Sequence, residues 1–453
     1  MLKILFAKMV VPVLAVLAAL TVAFPAAADR GFNAETFTLK NGLQVVVFPN
    51  HRAPIINHMI WYRVGSADET KGKSGIAHFL EHLMFKGTPT IPPQEFSKII
   101  ARNGGRDNAF TSYDYTAYWQ TIAADRLEMV MRMEADRMVN LVLTDDAVNP
   151  ERTVVLEERS MRTDNKPGAK LNETTLQALF GAKGYGIPVI GYEEEIKQLN
   201  RADALAFYKS HYAPNNAILL VAGDVDPVKV KELAEKYFGP IPAVKVPPRT
   251  RFYADKIAGP ARVERRDVQV KQPEWSRDYL APSYRAGDTK LALPLLILAQ
   301  IMGGNQTSRL YLSLVERQKL AVDVDAGYSP TSLGQTSFAF SATPAANVKM
   351  PALEAAMDKE IALLLEKGVT AEEVRRAQAR LIAANVYARD ALGTGPRLYG
   401  AQLAIGRTIA EIDRWPEDVQ KVTAAQVNQA AKAVLKLDRS VTSLLLPSKA
   451  ANQ

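Results

Sequence analysis

Cysteine is absent from this chain of 453 residues. The chain therefore forms no disulfide bond and cannot be a lipoprotein, which needs a cysteine to acylate. Beyond the first residues, no stretch is long and apolar enough to span a bilayer. No basic run is interleaved with aromatic residues, which argues against a nucleic-acid-binding protein. Serine, histidine and aspartate residues do not form the pattern of a nucleophile elbow.

The composition is that of a globular protein with more than one domain. Apolar residues make up 47% of the chain and charged residues 23%, which is typical of folded proteins. A length of 453 residues exceeds one ordinary core, so we expect two domains of about 200 residues each. The formal net charge of +8 falls to +6 without the two lysines of the first segment (8 − 2). We interpret this charge as a solvated surface.

The first 28 residues have the form of a secretory signal peptide. Lys3 and Lys8 provide a positive start, residues 9–24 are an apolar run, and the alanines at 26–28 offer a small-residue cleavage site. A retained membrane anchor is the alternative, but the run is short and ends in proline and alanines instead of a basic stop. We expect cleavage before Asp29 and a periplasmic location.

Histidine is scarce, yet two of the five histidines stand four residues apart in the sequence HFLEH at 78–82. Apolar residues around them recur with helical spacing, which predicts one helix that begins at Ser74 as N-cap and stops at Gly87. A lone histidine on a helix is usually a surface residue, but this pair lies one turn apart on one face and can bind one metal ion. Glu81 would lie beside that ion as a general base for water, and the order His-x-x-Glu-His is the inverzincin signature.

Catalytic zinc normally takes three protein ligands, so His78 and His82 need a third. The best place is the helix that we predict from Asn149 as cap and Pro150 in the first turn. Seven residues are nearly two turns, so Glu151 and Glu158 share a face, whereas residue 157 points about 100° away. We predict Glu158 as the third ligand, with Glu151 holding a ligand imidazole by its free ring N–H. The alternative is that these acidic side chains face solvent, as most do on helices.

The chain resembles the pitrilysin and mitochondrial processing peptidase family of zinc metallopeptidases. The resemblance rests on HFLEH at 78–82 followed at the expected distance by the two glutamates, and on NAFT at 108–111. IGY at 190–192 and YAPNN at 212–216 follow the family pattern as well. The resemblance implies one Zn²⁺ per chain and an extended peptide substrate held along the strand that contains the NAFT sequence. It implies the metal ligands His78, His82 and Glu158, the general base Glu81, the supporting Glu151, and the substrate-binding residues Asn108, Ala109 and Phe110.

The two halves of the chain repeat one order of elements. In the first half, a hairpin and a strand at 56–64 precede the metal helix, and a helix at 202–211 and a strand at 217–222 close the unit. In the second half, a strand at 275–284 precedes an apolar helix at 290–302, and a helix at 424–437 and a strand at 440–446 come last. This pattern predicts an α+β fold of two homologous two-layer domains, each with helices on one face of a mostly antiparallel sheet.

The predicted domains are an N-terminal zinc-binding domain at 29–240, a proline-containing linker at 241–262, and a C-terminal domain at 263–453. In the duplicate of the metal helix, the ligand positions fall near Leu295, Leu298 and Ala299. None of these side chains can bind zinc, so we expect one metal site, in the first domain.

Active members of the family offer an arginine and, seven residues later, a tyrosine from the C-terminal domain. The corresponding positions here are Val315 and Val322, and Arg317 is offset by two residues without a tyrosine seven positions on. Because the loss of an oxyanion donor costs about 100- to 1000-fold in turnover, we expect a homologous partner chain to supply the pair in a heterodimer. A homodimer with other donors is the alternative.

The sequence thus predicts the zinc-bearing subunit of a periplasmic endopeptidase or oligopeptidase that hydrolyses extended peptides. A non-catalytic binding or assembly subunit of the same fold is the competing hypothesis.

Overall fold

The computed structural model describes residues 32–251 and 253–448. The predicted signal peptide at 1–28 lies outside these residues. Within them, none of the helices has both the length and the apolar character needed to cross a bilayer.

The first half of the chain forms a six-stranded sheet with helices on one face. Its strands are Glu35–Thr38 (β1), Gln44–Pro49 (β2), Ile55–Tyr62 (β3), Arg106–Thr111 (β4), Thr116–Ala123 (β5) and Ala217–Gly223 (β6). Its helices are Ile76–Leu83 (α1), Glu95–Arg102 (α2), Leu127–Val139 (α3), Asp145–Arg159 (α4), Pro167–Phe180 (α5), Glu193–Ile196 (α6), Arg201–His211 (α7) and Pro227–Tyr237 (α8). The strand order is β1-β2-β6-β3-β5-β4, so β4 is an edge strand.

The second half forms a five-stranded sheet. Its strands are Arg262–Asp267 (β7), Glu274–Ala281 (β8), Ala321–Tyr328 (β9), Thr336–Pro344 (β10) and Ser440–Pro447 (β11). Its helices are Ala292–Met302 (α9), Met350–Lys367 (α10), Ala371–Tyr387 (α11), Thr394–Ala404 (α12), Ile409–Asp413 (α13), Trp415–Gln420 (α14) and Ala424–Val434 (α15). Two segments, Ser160–Asp164 and Tyr311–Arg317, are π-helical. The domain boundaries given above stay predictions.

The two sheets share one topology, which confirms the predicted α+β fold of two homologous units. The second sheet has the order β7-β11-β8-β10-β9, which matches β2-β6-β3-β5-β4 strand for strand. The first two strands of each series are parallel to each other, and the remaining neighbours are antiparallel. In this correspondence α1 is equivalent to α9, and the edge strand β4 is equivalent to β9.

The two halves exchange one helix each. Helix α5 of the first half packs on β7, β8 and β11 of the second sheet, and α12 of the second half packs on β3 and β6 of the first. These helices cover the sheet faces that the helices of the same half leave open. Tyr399 and Leu403 of α12 belong to one buried cluster with Trp61 of β3. Both faces of β6 are therefore buried, which explains its continuous apolar sequence AILLVAG. The sequence pattern had predicted helices on one face only.

The predicted start of the metal helix is wrong. Helix α1 begins at Ile76 after Gly75, whose φ of +86° is in the left-handed region. Its first N–H groups are satisfied by a distant side chain, because the Glu69 carboxylate accepts from the backbone of Gly75 (3.0 Å) and Ala77 (2.9 Å). The Ser74 hydroxyl instead accepts from the N–H of Tyr192 at 2.9 Å.

The predicted start of the second site helix is also wrong. Helix α4 begins five residues before Pro150, and Thr144 is its cap, accepting from the N–H of Ala147 at 3.2 Å. Asn149 and Pro150 lie inside the helix, where proline removes one backbone hydrogen bond. The error does not move the acidic side chains, because the spacing of Glu151 and Glu158 on the helix is unchanged.

Candidate metal centre

Three side chains from α1 and α4 converge on one point. The Oε2 atom of Glu158 lies 3.2 Å from Nε2 of His82 and 3.6 Å from Nε2 of His78. All three donor atoms lie within 4.8 Å of one another, and among the described residues this is the one group of histidine and acidic side chains close enough to hold a metal ion. The structure thus brings together the three residues that the sequence predicted as ligands.

The donor set fits zinc. Tetrahedral zinc with ligands at 2.0–2.2 Å requires donor atoms about 3.3–3.6 Å apart, close to the spacing found between Glu158 and the two imidazoles. The Oε2 atom of Glu158 is buried and has no hydrogen-bond partner apart from its contacts with the two imidazole nitrogens, so its lone pairs are directed to the position that an ion would occupy. Two imidazole nitrogens and one carboxylate oxygen are the ligand set of several catalytic zinc sites.

Glu151 orients one of the imidazoles. Its Oε1 atom lies 2.9 Å from Nδ1 of His82, and its other oxygen contacts the Lys86 ammonium. Because Nδ1–H donates to this carboxylate, Nε2 of His82 is directed towards Glu158. Burial disfavours a charge on His82, but the hydrogen bonds to Glu151 and Glu158 outweigh it and raise the pKa of His82 to about 9.

The two histidines are electrostatically distinct. Burial, followed by the charge on His82, lowers the pKa of His78 to about 4, so His78 is neutral at pH 7 and offers a lone pair. The hydrogen bond from His82 keeps the pKa of Glu158 below its usual value despite partial burial. Metal binding must displace the proton of His82, so the affinity of this site for metal falls as the pH decreases.

Glu81 faces the same cleft and is held by a hydroxyl group. It is 9% exposed, and burial raises the pKa of its carboxyl group. Thr111, at the end of β4, opposes this shift by donating a hydrogen bond from Oγ1 to Oε2 of Glu81 at 2.5 Å. A carboxylate whose pKa moves towards neutrality suits a general base.

The site opens into a cleft of about 700 Å³ that is bordered by the edge strand β4. Asn108, Ala109 and Phe110 line this cleft together with His78 and the other site residues. The side chain of Asn108 accepts from the N–H of Ala109 at 2.8 Å. The ring of Phe110 also packs edge-on against Trp61 at 5.2 Å, so this residue has a structural role as well.

The π-helical segment after α4 and helix α5 also line the cleft. Arg162 contacts Oε1 of Glu158 at 2.8 Å, while its side chain is 72% exposed. Arg159 is buried and joins α4 to α5 by donating to Glu173 at 2.9 Å and to the carbonyl of Gly191 at 2.6 Å. No sequence signal links Lys86, Glu69 or Arg159 to the site, because Lys86 lies beyond the end of α1 and contacts Glu151 on another helix.

The second half contributes no ligand at the duplicated positions. Leu295, Leu298 and Ala299 of α9 are buried in the second core. Val315 is half-buried and packs against the same core, whereas Val322 is half-exposed near the start of β9.

Comparison with known proteins agrees with this arrangement. Two family models match the chain, insulinase (peptidase family M16) over residues 44–192 and the peptidase M16 inactive domain over residues 198–381. The zinc protease PqqE of Helicobacter pylori is 36% identical over 345 residues, which cover 74% of each chain. The crystal structure of a protease from Helicobacter pylori superposes with a TM-score of 0.82 at 28% identity, covering 91% of this chain and 99% of that one.

A longer protein shares the fold. The periplasmic protease PqqL of Escherichia coli superposes with a TM-score of 0.78 at 21% identity, covering 91% of this chain but 47% of that one. The matched family models together span well over half of the present chain. The similarity to zinc proteases and the shared fold confirm the resemblance inferred from the HFLEH motif, and the chain belongs to peptidase family M16.

Proposed function

We propose that this chain is the zinc-bearing subunit of a periplasmic peptidase that cleaves extended peptides. The observation that carries the proposal is the convergence of two imidazoles and one carboxylate beside a buried glutamate, in a cleft bordered by a free strand edge. His78, His82 and Glu158 would hold the ion, and Glu151 would keep His82 in the required orientation.

The chemistry that a bound Zn²⁺ supplies at such a site is Lewis acidity, which polarises a peptide carbonyl and makes water more acidic. In the proposed reaction, Glu81 accepts a proton from the attacking water and returns it to the leaving nitrogen. Thr111 holds the Glu81 carboxylate by its hydrogen bond, so the carboxylate oxygens keep a fixed position. The burial of Glu81 favours this exchange of the proton near neutral pH.

Substrate would add one strand to the first sheet along β4. An edge strand offers unpaired backbone N–H and C=O groups, and an extended peptide can pair with them. The hydrogen bond between Asn108 and the N–H of Ala109 would then be exchanged for one to substrate. Such pairing recognises an extended backbone more than a particular sequence.

The proposed partner is a homologous chain that supplies an arginine and a tyrosine for the oxyanion. Aliphatic side chains at Val315 and Val322 motivate this part of the proposal, since neither can stabilise a negative charge. The similarity to PqqL shows that this fold also occurs within a chain about twice as long. A homodimer is the alternative. In that case the exposed guanidinium of Arg162 in the cleft is a cation within the chain that is available to stabilise the oxyanion.

The test is hydrolysis of unstructured peptides by the exported chain with one equivalent of zinc, alone and together with a homologous chain that carries the arginine–tyrosine pair. We expect cleavage that a chelator abolishes and that the partner increases by about 100-fold or more. Glu81→Gln should lower kcat by about 100- to 10,000-fold while zinc still binds. The exposed residue Glu157, changed to glutamine, is the matched control.

The results separate the hypotheses. Equal activity of Glu81→Gln and wild type would refute the assignment of the base. Full activity of the chain alone would refute the heterodimer. Tight peptide binding without zinc-dependent cleavage under either condition would instead favour the non-catalytic binding subunit.

A further inference from the structure

A second cavity, of about 200 Å³, adjoins the metal cleft, and the two share Tyr113 and Leu176 in their walls. Both halves of the chain build it. The first half contributes the turn between β4 and β5 and the end of α5, and the second half contributes the loop between β9 and β10. The aromatic residues in its wall are Tyr113, Tyr115, Phe180 and Tyr185.

The rings pack into a continuous surface. Tyr185 meets Tyr113 edge-on with ring centroids 5.1 Å apart, and it meets Phe180 in the same way at 6.0 Å. All three rings remain partly exposed. Sites that bind a ligand side chain are typically lined by such partly exposed aromatic groups.

The principal polar side chains of the cavity already have partners within the protein. Asp114 accepts from the Tyr185 hydroxyl at 2.7 Å, from Arg251 at 2.7 Å and from the N–H of Leu333 at 2.9 Å. The amide of Gln335 is paired with the backbone of Ala254 through both its oxygen (3.0 Å) and its nitrogen (3.1 Å). These groups do not require a polar ligand, so the cavity favours an apolar occupant.

The cavity lies close to the proposed reaction centre along the strand that would bind substrate. Thr111 contacts the Glu81 carboxylate, and Tyr113 follows two residues later. Two residues of chain span at most about 7 Å, even when fully extended. A peptide paired with β4 would therefore bring a side chain within about two to four residues of the cleaved bond to the mouth of this cavity.

We propose that this cavity is a specificity pocket that binds one large apolar or aromatic side chain of the peptide substrate. The proposal rests on the proposed function, because it takes the occupant from a peptide that lies along β4. The second half of the chain then has a role in selection of substrate, through the loop between β9 and β10, although it carries no metal ligand.

The test is a set of peptides in which each position around the cleaved bond carries Phe, Leu, Ala or Asp in turn. Cleavage is measured as kcat/KM with zinc-loaded protein, alone and with the partner. Binding of the same peptides, labelled with fluorescein, is measured by fluorescence anisotropy on the Glu81→Gln variant. This measurement does not depend on turnover. At one position we expect Phe and Leu to be preferred to Ala and Asp by about 10- to 100-fold.

Thr331 lines the cavity on the loop between β9 and β10, and Thr331→Trp should fill the space. We expect this variant to reduce the ratio of Phe to Ala peptides to about 1. Val228→Trp, which adds the same ring on the exposed surface of α8, should keep the wild-type ratio. If Thr331→Trp does not fold by circular dichroism, Leu176→Phe at the junction of the two cavities replaces it, with the same expected loss of preference.

The outcomes distinguish this proposal from the proposed function. Cleavage with no preference at any position, or a preference that survives the filling variant, would overturn the pocket and leave the peptidase intact. A preference in binding that Thr331→Trp removes, without cleavage of any peptide, would support the pocket and contradict the peptidase. No preference in either assay would overturn the pocket in every case.

Discussion

One added methyl group can test the helix exchange that joins the two halves. Gly400 lies in α12, on the face that packs against the first sheet. A Cβ atom built at this position lies 2.2 Å from Cε2 of Trp61 and 2.6 Å from its Cδ2 and Nε1 atoms. The indole cannot easily yield, since it is 1% exposed and lies between Phe110 and Tyr115 at ring distances of 5.2 and 4.8 Å. Gly400→Ala must therefore displace α12 or the aromatic cluster.

The magnitude follows from two opposing effects. Overpacking of a well-packed core costs up to about 3 kcal/mol. We use this upper value because the added methyl group clashes with a buried ring. Alanine regains about 1 kcal/mol through its higher helix propensity. We expect a net loss of about 2 kcal/mol in the free energy of unfolding, which lowers the melting temperature by about 4–8 °C for a unit of this size.

A matched glycine is available in the equivalent exchanged helix. Gly168 lies in α5, and a Cβ atom there would lie 3.7 Å from Cδ2 of Leu445, an ordinary contact. Gly168→Ala should leave the melting temperature unchanged or raise it slightly. Thermal unfolding followed by circular dichroism measures both variants. If Gly400→Ala melts at the wild-type temperature, the tight packing of α12 on Trp61 is refuted.

Two further predictions concern the metal site and the pH dependence of stability. Glu151→Gln should weaken zinc binding by about 10- to 100-fold, because a neutral amide accepts a weaker hydrogen bond from the Nδ1–H of His82 than a carboxylate does. Competition with a chelating dye measures the zinc affinity. An unchanged affinity would contradict the role of Glu151. Burial raises the pKa of Asp278 on β8 to about 6, although Ser337 donates to it. A carboxyl group with a raised folded-state pKa contributes stability below its unfolded pKa, near 4, and this contribution is lost as the pH rises through 6. Denaturant titrations give the free energy of unfolding at pH 4.5 and at pH 7.5. Between these two values it should decrease less for Asp278→Asn than for wild type. Equal decreases would contradict the burial of this charge.

The convergence of the candidate ligands could be predicted from the sequence because it depends on spacing within single helices. The two histidines on α1 are four positions apart, and Glu151 and Glu158 on α4 are seven positions apart. Each pair therefore shares a face of its helix, wherever the helix begins and ends. The errors at Ser74 and Asn149 show the limit of this reasoning. A capping residue directly before each predicted start was expected, but Glu69 accepts from the first N–H groups of α1 from outside the helix, and Thr144 caps α4 five residues before Asn149.

The exchange of α5 and α12 could not be inferred from periodicity. An amphipathic pattern shows that a helix has an apolar face, but not which sheet covers that face. A signal was nevertheless present in β6, whose uninterrupted apolar sequence requires cover on both sides. The cavity beside the metal cleft was equally invisible, because its wall combines Tyr113 and Tyr185 with a loop more than 140 positions further along the chain.

The position of α5 gives the cleft two different kinds of wall. One wall, with the proposed metal ligands on α1 and α4 and with β4, belongs to the first half. The other carries Glu173 and Leu176 on a helix that is continuous in sequence with the first half but seated on the second sheet. The π-helical turn at Ser160–Asp164, immediately after Glu158, connects these two walls. A change in the relative position of the two sheets would therefore change the width of the cleft and act on the backbone next to Glu158.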